Sequence, residues 1–330
     1  MKIFITGATG FIGKHLVKRL AGTDHELVCL VRETSKVGAL EQHGVTLVKG
    51  DVTAKASVCA GMHGCDWVIH LANIFSFWER DPSLYRKVNV EGTRHVMECA
   101  LEAEVAKVVH VSTALIYGKP KQCPFTEESP VGPQRFSEYA RTKYLGDLIA
   151  WDLYEKKGLP LVVLFPGGVM GPGDDKASGR YVKDLIDRRL PATVLPESVL
   201  TLVHVDDVVE AIIRAAEKKD NLGEKYLIGA HRAKVRDTNK LISEIAGVPL
   251  PKIVLRDTPF LGKNALLATL FADFTGSEPL FGVSTDQVRT MRNGFQFDGS
   301  KAGRELGITY TPLRKIYEDT IASYTSKRSA

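Results

Sequence analysis

The stretch Thr6-Gly7-Ala8-Thr9-Gly10-Phe11-Ile12-Gly13 constrains this chain more than any other. It follows the apolar run Ile3-Phe4-Ile5, and its glycines stand three apart. A sharp turn from strand to helix needs a residue without Cβ, which Gly7 supplies. Bare backbone at Gly10 lets a phosphate approach, and Gly13 lets the following helix pack tightly on the sheet. Exposed N–H groups and the positive helix end favour a pyrophosphate there. With a strand before it and a helix after it, the spacing reads as a dinucleotide site, in which Thr9, Phe11 and Ile12 also face the ligand.

The pattern beyond this turn supports that reading. Strand-like Ile3–Thr6, Glu26–Val31, Val45–Lys49, Trp67–Leu71 and Lys107–Ser112 are interleaved with helical Ile12–Ala21 and Pro82–Ala103. Strand and helix in turn imply βαβ units and a parallel sheet covered on both faces. Further on, Tyr139–Lys156 reads as a helix stopped by Gly158 and Pro160, Leu161–Phe165 as a strand, and Asp206–Lys218 as a helix. The expected class is α/β: a doubly wound parallel sheet with a smaller mixed C-terminal substrate-binding region. The expected division is 1–166 with 201–230 for the dinucleotide, and 167–200 with 231–330 for substrate.

The spacing GxxGxxG resembles the extended branch of the short-chain dehydrogenase/reductase superfamily, whose nucleotide domain has the Rossmann fold. Gly50-Asp51-Val52 is similar to its adenine-contacting segment, and His70-Leu71-Ala72 to its strand end beneath the cofactor. Asn89-Val90-Glu91-Gly92-Thr93 resembles its NxxGT helix. Val203-His204-Val205-Asp206-Asp207-Val208 and Phe297-Asp298 onward resemble later family segments, so the likeness runs nearly end to end. The resemblance implies cofactor contacts at Asp51, Val52, Leu71, Ala72, Asn73 and Asn89, and again at Pro166, Gly168 and Val169. His204 reads as structural, and Asp206-Asp207 as a helix start rather than acid–base or metal machinery.

Tyr139 and Lys143 form a YxxxK pair, and i, i+4 spacing puts both on one helix face. A phenol holds its proton tightly at neutral pH. A neighbouring ammonium favours phenolate, so Lys143 is expected to lower the Tyr139 pKa and make it a general acid or base. Val111-Ser112-Thr113-Ala114-Leu115-Ile116-Tyr117-Gly118 resembles the family segment that carries the catalytic hydroxyl five residues before its glycine. That implies Thr113 orients the substrate carbonyl, Ser112 stands on the cofactor side, and Lys143 holds the ribose.

The second strand ends Leu30-Val31-Arg32-Glu33. An acidic residue at such an end takes a ribose 2′-OH. Here Val31 fills that position and Arg32 follows, a fork suited to a 2′-phosphate, with Lys36 to assist. NADP(H) is favoured; NAD(H) is the alternative if Glu33 swings into the acidic role.

The branch holds epimerases, dehydratases and reductases. Thr113-Ala114-Leu115 lacks the Asp-Glu pair of its dehydratases. Phe165 and Gly168 stand where its nucleotide-sugar enzymes carry Arg and Asn. This proline-led version resembles dihydroflavonol-4-reductase-like and 3β-hydroxysteroid dehydrogenase-like members. Ile74, Phe75, Phe77 and Trp78 are expected at the substrate end, beside Thr113 and Tyr139. The expected reaction is hydride exchange with a ketone or secondary alcohol on an apolar or aromatic small molecule. A nucleotide-sugar 4-epimerase with tightly bound NAD and a non-catalytic cofactor sensor are the alternatives.

Net charge is +5 with scattered cations, which argues against a nucleic-acid partner; the one basic cluster is Lys327-Arg328. No 18-residue apolar run or charged leader is evident, so a cytoplasmic protein without a membrane partner is expected. Five cysteines without a CxxC pair point to free thiols in a reducing compartment and to no metal site. Leu261, Leu266, Leu267, Leu270, Phe271 and Phe274 form a helical stripe that reads as core, and Lys263 as its single cation argues against a membrane-surface helix. A homodimer is expected through the helices near 82–103 and 139–157, where Leu145, Leu148 and Trp151 permit it.

Overall fold

A computed structural model describes residues 1–279 and 283–325; Lys327-Arg328 lies outside the described residues. The first half runs β1 (Lys2–Thr6), α1 (Phe11–Leu20), β2 (Glu26–Val31), α2 (Gly38–Glu41), β3 (Thr46–Lys49), α3 (Lys55–Met62), β4 (Trp67–His70), α4 (Ser83–Tyr85), a π-turn segment (Arg86–Gly92), α5 (Thr93–Glu102) and β5 (Lys107–Val111). Then come α6 (Glu138–Lys157), β6 (Leu161–Pro166), β7 (Gly168–Met170), α7 (Ala177–Ile186), β8 (Ala192–Val194), β9 (Val199–His204), α8 (Val205–Glu217) and β10 (Lys225–Ile228). The chain closes with β11 (His231–Lys234), α9 (Val235–Ala246), β12 (Ile253–Leu255), α10 (Pro259–Thr275), α11 (Thr285–Asn293), α12 (Ser300–Leu306) and α13 (Leu313–Thr325).

The main sheet has seven strands in the order β10-β6-β5-β4-β1-β2-β3, every pair parallel. Its strands are Val- and Ile-rich because both faces are covered. One face packs Leu16, Val17 and Leu20 of α1 with Val208 and Ile212 of α8. The other packs Val58 and Met62 of α3, Val96 and Met97 of α5, and Ala150 and Leu153 of α6. The chain builds outward from β1 to β3, then returns to lay β4 on the other side of β1. That reversal opens a crevice at the carboxyl ends of β1 and β4. A three-stranded sheet, β11-β9-β7, and the β12-β8 pair lie beyond, over a third core of Val182, Leu202, Ile242 and Tyr317.

Gly7 sits at φ +75°, and a Cβ there would stand 2.7 Å from the Ala72 nitrogen. A Cβ on Gly13 would stand 2.3 Å from the Gly7 carbonyl oxygen. The first turn is thus pressed onto the end of β4, and α1 onto the turn.

Several expectations need correction. The helix expected over Pro82–Ala103 is interrupted by the wide turn at Arg86–Gly92, where Asn89 is buried and Gly92 faces Val52. Cys59 and Cys99 form a disulfide, against the expectation of free thiols. They lie 40 residues apart in sequence, on α3 and α5, which pack side by side on one face of the sheet. Sequence spacing carries no sign of that neighbourhood. The α10 stripe is not core: Leu267 is 65 % exposed, Phe271 66 % and Phe274 91 %, with Leu261 alone of the named six buried. The buried side of α10 is Leu261, Ala265 and Ala272 instead.

A line of buried polar groups crosses the strand ends. Register places Thr6 beside His70 and His70 beside His110. The Thr6 hydroxyl is 2.7 Å from His70 Nδ1, and the Thr93 hydroxyl 3.1 Å from Nε2. The two imidazoles stack with centroids 5.2 Å apart. Burial first, then the neighbouring imidazole and the Lys143 charge, hold His70 well below its ordinary 6.5. Burial lowers His110 as well.

Below pH 6.5 the unfolded chain therefore binds protons that the folded chain refuses, and stability falls as pH falls. His70 should contribute a measurable part of the stability lost between pH 7 and pH 5. Urea unfolding at the two pH values checks this: His70→Asn should flatten the slope, and a slope unchanged by that substitution refutes it.

Candidate active site

A cavity of about 750 Å³ starts over the first turn and runs across the strand ends into the smaller lobe. Gly7, Thr9, Gly10, Phe11, Ile12 and Gly13 floor one end. Arg32, Asp51 and Val52 wall it. Leu71, Ala72 and Asn73 follow along β4's end, and Pro166, Gly168 and Val169 close the far side. Ser112, Thr113 and Tyr139 meet at the middle, with Ile74, Phe75 and Phe77 opposite.

Local chemistry explains these positions. Asp51 takes the Thr53 N–H (2.9 Å) and hydroxyl (2.8 Å) on Oδ1, a tight turn that fixes the carboxylate at the wall. Asn73 donates to the Leu71 carbonyl at 2.9 Å, and its Oδ1 is buried with no partner among the described residues. That orphaned acceptor and the bare glycine cradle fit a dinucleotide whose amide or hydroxyl groups reach it. Arg32 is exposed and reaches the groove wall, whereas Glu33 pairs with Lys49 on β3 at 3.7 Å.

Four expected site residues stand elsewhere. Lys36 is exposed and does not line the cavity. Asn89 is buried behind it: Oδ1 accepts from the Ile74 N–H at 2.8 Å, and Nδ2 donates to the Thr142 hydroxyl at 3.1 Å. It therefore ties the Ile74 loop to α6 rather than touching the groove. Trp78 turns away, its indole N–H donating to Asp273 at 2.8 Å. Lys143 is buried beneath the floor, its ammonium donating to the Val111 carbonyl at 3.1 Å.

The acid–base pair also differs from expectation. Burial pushes the Tyr139 hydroxyl up, and the Thr113 hydroxyl offsets this only in part. Burial brings Lys143 down to about 8, opposed by the nearby Asp147 carboxylate. Desolvation outweighs the expected pull of the ammonium on the phenol, because the ammonium is held at the Val111 carbonyl. Phe75 packs edge-on against Tyr139, centroids 5.0 Å apart, and seals the phenol from water.

Sequence reasoning missed Asp147. It lies one turn beyond Lys143 on the same face of α6 and is buried. Its carboxylate accepts from His110 Nε2 at 2.9 Å and from the Ser112 hydroxyl at 2.6 Å. Ser112 thus lines the groove but turns its hydroxyl inward. The i, i+4 rule that singled out Tyr139 and Lys143 reaches Asp147 when carried one step further. Also missed is the far chamber, walled by Tyr181, Leu195, Leu202, Ile242, Val288 and Phe295. These side chains come from separate elements and share no local spacing. His204 caps α8, accepting from the Asp206 N–H at 3.1 Å, while Asp207 accepts from the Thr311 N–H at 2.8 Å and hydroxyl at 2.7 Å, so this segment is structural.

Comparison with known proteins places this architecture. The chain is 29 % identical over 336 residues to sterol demethylase protein B of Methylococcus capsulatus, covering 99 % of each chain. It is 27 % identical over 329 residues to a putative dihydroflavonol 4-reductase of Synechocystis sp., covering 96 % of this chain and 93 % of that one. The crystal structure of gox2253 superposes with a TM-score of 0.85 at 32 % identity, covering 98 % of both chains. The model of the NAD dependent epimerase/dehydratase family matches residues 3–229, and this chain belongs to that family, as an extended short-chain dehydrogenase/reductase enzyme.

Proposed function

We propose that the chain is an NADP(H)-dependent oxidoreductase that exchanges a hydride with a ketone or secondary alcohol on an apolar or aromatic small molecule. One observation carries this reading: an apolar chamber opens onto Tyr139 and Thr113 at the inner end of the glycine groove. In this reading the part built on the seven-stranded sheet holds the cofactor, and the smaller lobe holds substrate. Gly7 to Gly13 would hold the diphosphate, Asp51 and Val52 the adenine end, and Arg32 the 2′-phosphate. When bound, the nicotinamide supplies the hydride to the carbonyl carbon, or takes it from the alcohol.

The chain's own residues do the rest. Tyr139 stays protonated at neutral pH because burial raises its pKa, so it is a ready acid for a carbonyl oxygen that gains charge as hydride arrives. Thr113, whose hydroxyl lies beside Tyr139 at the middle of the cavity, orients that oxygen. Lys143 holds a positive charge beneath them, and Asp147 keeps that charge favourable. Phe75 and Phe77 exclude water from the proton transfer.

The cations among the described lining residues are Arg32, at the adenine end, and Lys176. A nucleotide-sugar diphosphate in the far chamber would have Lys176 as its cation, which disfavours the epimerase alternative. Family homodimers pair through helices equivalent to α5 and α6; here Leu148 is 46 % exposed on α6, and a homodimer is part of the proposal.

Turnover tests the reading directly. Purified protein should consume NADPH with aryl or alicyclic ketones; tightly held NAD with interconversion of UDP-sugars would overturn it. Tyr139→Phe should lower kcat/KM by about 10²–10⁴-fold while nicotinamide binding, read by fluorescence, stays within a few-fold. A variant with full turnover removes Tyr139 from the chemistry.

Arg32→Glu should weaken NADPH by roughly 10–100-fold and leave NADH unharmed or improved, the loss of one charge-assisted fork. Equal effects on both cofactors would move the 2′-phosphate contact elsewhere. The reduction rate should fall above about pH 8, where Lys143 loses its proton. A rate flat to pH 10 shows that the charge is not needed.

A further inference from the structure

Among the described residues, the exposed apolar face of α10 is a feature that the proposed chemistry does not use. Phe260, Leu267, Phe271 and Phe274 are 65–91 % exposed, and Leu266 and Leu270 about half. Spacing of 260, 267, 270, 271 and 274 puts them on one side of the helix, opposite Leu261, Ala265 and Ala272, which are buried. The helix is therefore apolar on both sides, which suits an element covered twice. The strand before it, β12, also shows Ile253 at 56 % and Val254 at 51 %.

We propose that this face docks on the interfacial layer of an anionic lipid bilayer and passes an apolar substrate from it to the cavity. Charge argues for lipid. Lys263 stands in the middle of the exposed stripe, Lys252 and Arg256 precede it in the chain, and the Arg80 guanidinium lies against Gly276 at the helix's end. These four are exposed and have no ion pair among the described residues. The two carboxylates between Lys252 and Thr275 are both engaged: Asp257 with Arg292 at 2.7 Å, and Asp273 with the Trp78 indole at 2.8 Å. The surface thus offers free cations around apolar side chains, the pattern that binds acidic headgroups.

The sequence expectation weighed Lys263 alone; the fold adds the other cations and exposes the stripe. A second copy of the chain fits less well. A two-fold pairing of this face would bury two Lys263 ammoniums at one seam, while the nearby carboxylates Asp257 and Asp273 are already held by Arg292 and the Trp78 indole. At a headgroup layer the same side chain extends along the apolar surface and leaves its charge in water.

Continuity with the cavity supplies the reason for docking. Leu255, at the end of β12, is 41 % exposed and also lines the cavity. Phe77 lines the cavity too, and its carbonyl accepts from Ser284 at 2.8 Å, just before α11. Leu255 therefore joins the exposed apolar edge at β12 to the chamber. Delivery rests on the apolar-substrate reading above; docking itself does not.

Co-sedimentation of the full chain with vesicles tests it, using phosphatidylcholine alone and phosphatidylcholine mixed with phosphatidylglycerol. The wild type should pellet with the mixed vesicles, and less so with phosphatidylcholine alone or at high salt. Leu267→Asp and Phe271→Asp should each weaken this by about tenfold or more, and Lys263→Glu should weaken it on mixed vesicles. NADPH turnover on a water-soluble ketone should be unchanged in all three, since none of them lines the cavity. No pelleting by the wild type, or equal pelleting by the variants, overturns docking while turnover still stands. If gel filtration instead shows an oligomer that Phe271→Asp splits, a second copy covers the face and the lipid proposal fails. Pelleting without turnover on any ketone leaves docking standing and sinks the catalytic reading.

Discussion

The contact between the Gly7 turn and the end of β4 is the constraint on which the rest depends. No side chain fits between Gly7 and Ala72, and none between Gly13 and the Gly7 carbonyl. Because the strand order reverses at β1, this is where the connections leaving neighbouring strands part and leave backbone facing a crevice. Close approach of turn, strand and helix brings N–H groups to the surface of that crevice. The same approach aligns Thr6, His70 and His110 beneath it, so the floor of the groove and the support of α6 share one polar layer.

That layer reaches the centre of the proposed chemistry through Asp147. A buried carboxylate with two hydrogen bonds sits one turn from Lys143, which sits one turn from Tyr139. Burial raises the phenol and lowers the ammonium. The pair is thus tuned by desolvation more than by mutual attraction, and Asp147 limits how far the ammonium falls. Asn89 plays a parallel mechanical part: its amide holds the Ile74 backbone and the Thr142 hydroxyl together, fixing the aromatic loop against α6.

Much of the cofactor end was legible because its physics is local. A turn that needs glycine, a strand that needs β-branched residues and a helix face that repeats every four residues all leave marks within a short window. Tyr139 and Lys143 were singled out that way, Thr113 only by resemblance to a family segment, and Asp147 was within reach of the helical rule. Lys36 and Trp78 were placed by proximity in the chain, and the structure sends both elsewhere. The stripe on α10 reads as core because periodicity records which residues share a face, not whether anything lies against it.

The chain by itself determined a parallel α/β sheet, a dinucleotide turn and a phenol–ammonium pair, since each is a short-range demand of backbone geometry or helical spacing. The tertiary structure alone decided the Cys59–Cys99 bond, the apolar chamber and the bare face of α10. Those features depend on which distant segments pack together. Burial, and with it the direction of every shifted pKa, is a property of that packing and not of the order of residues.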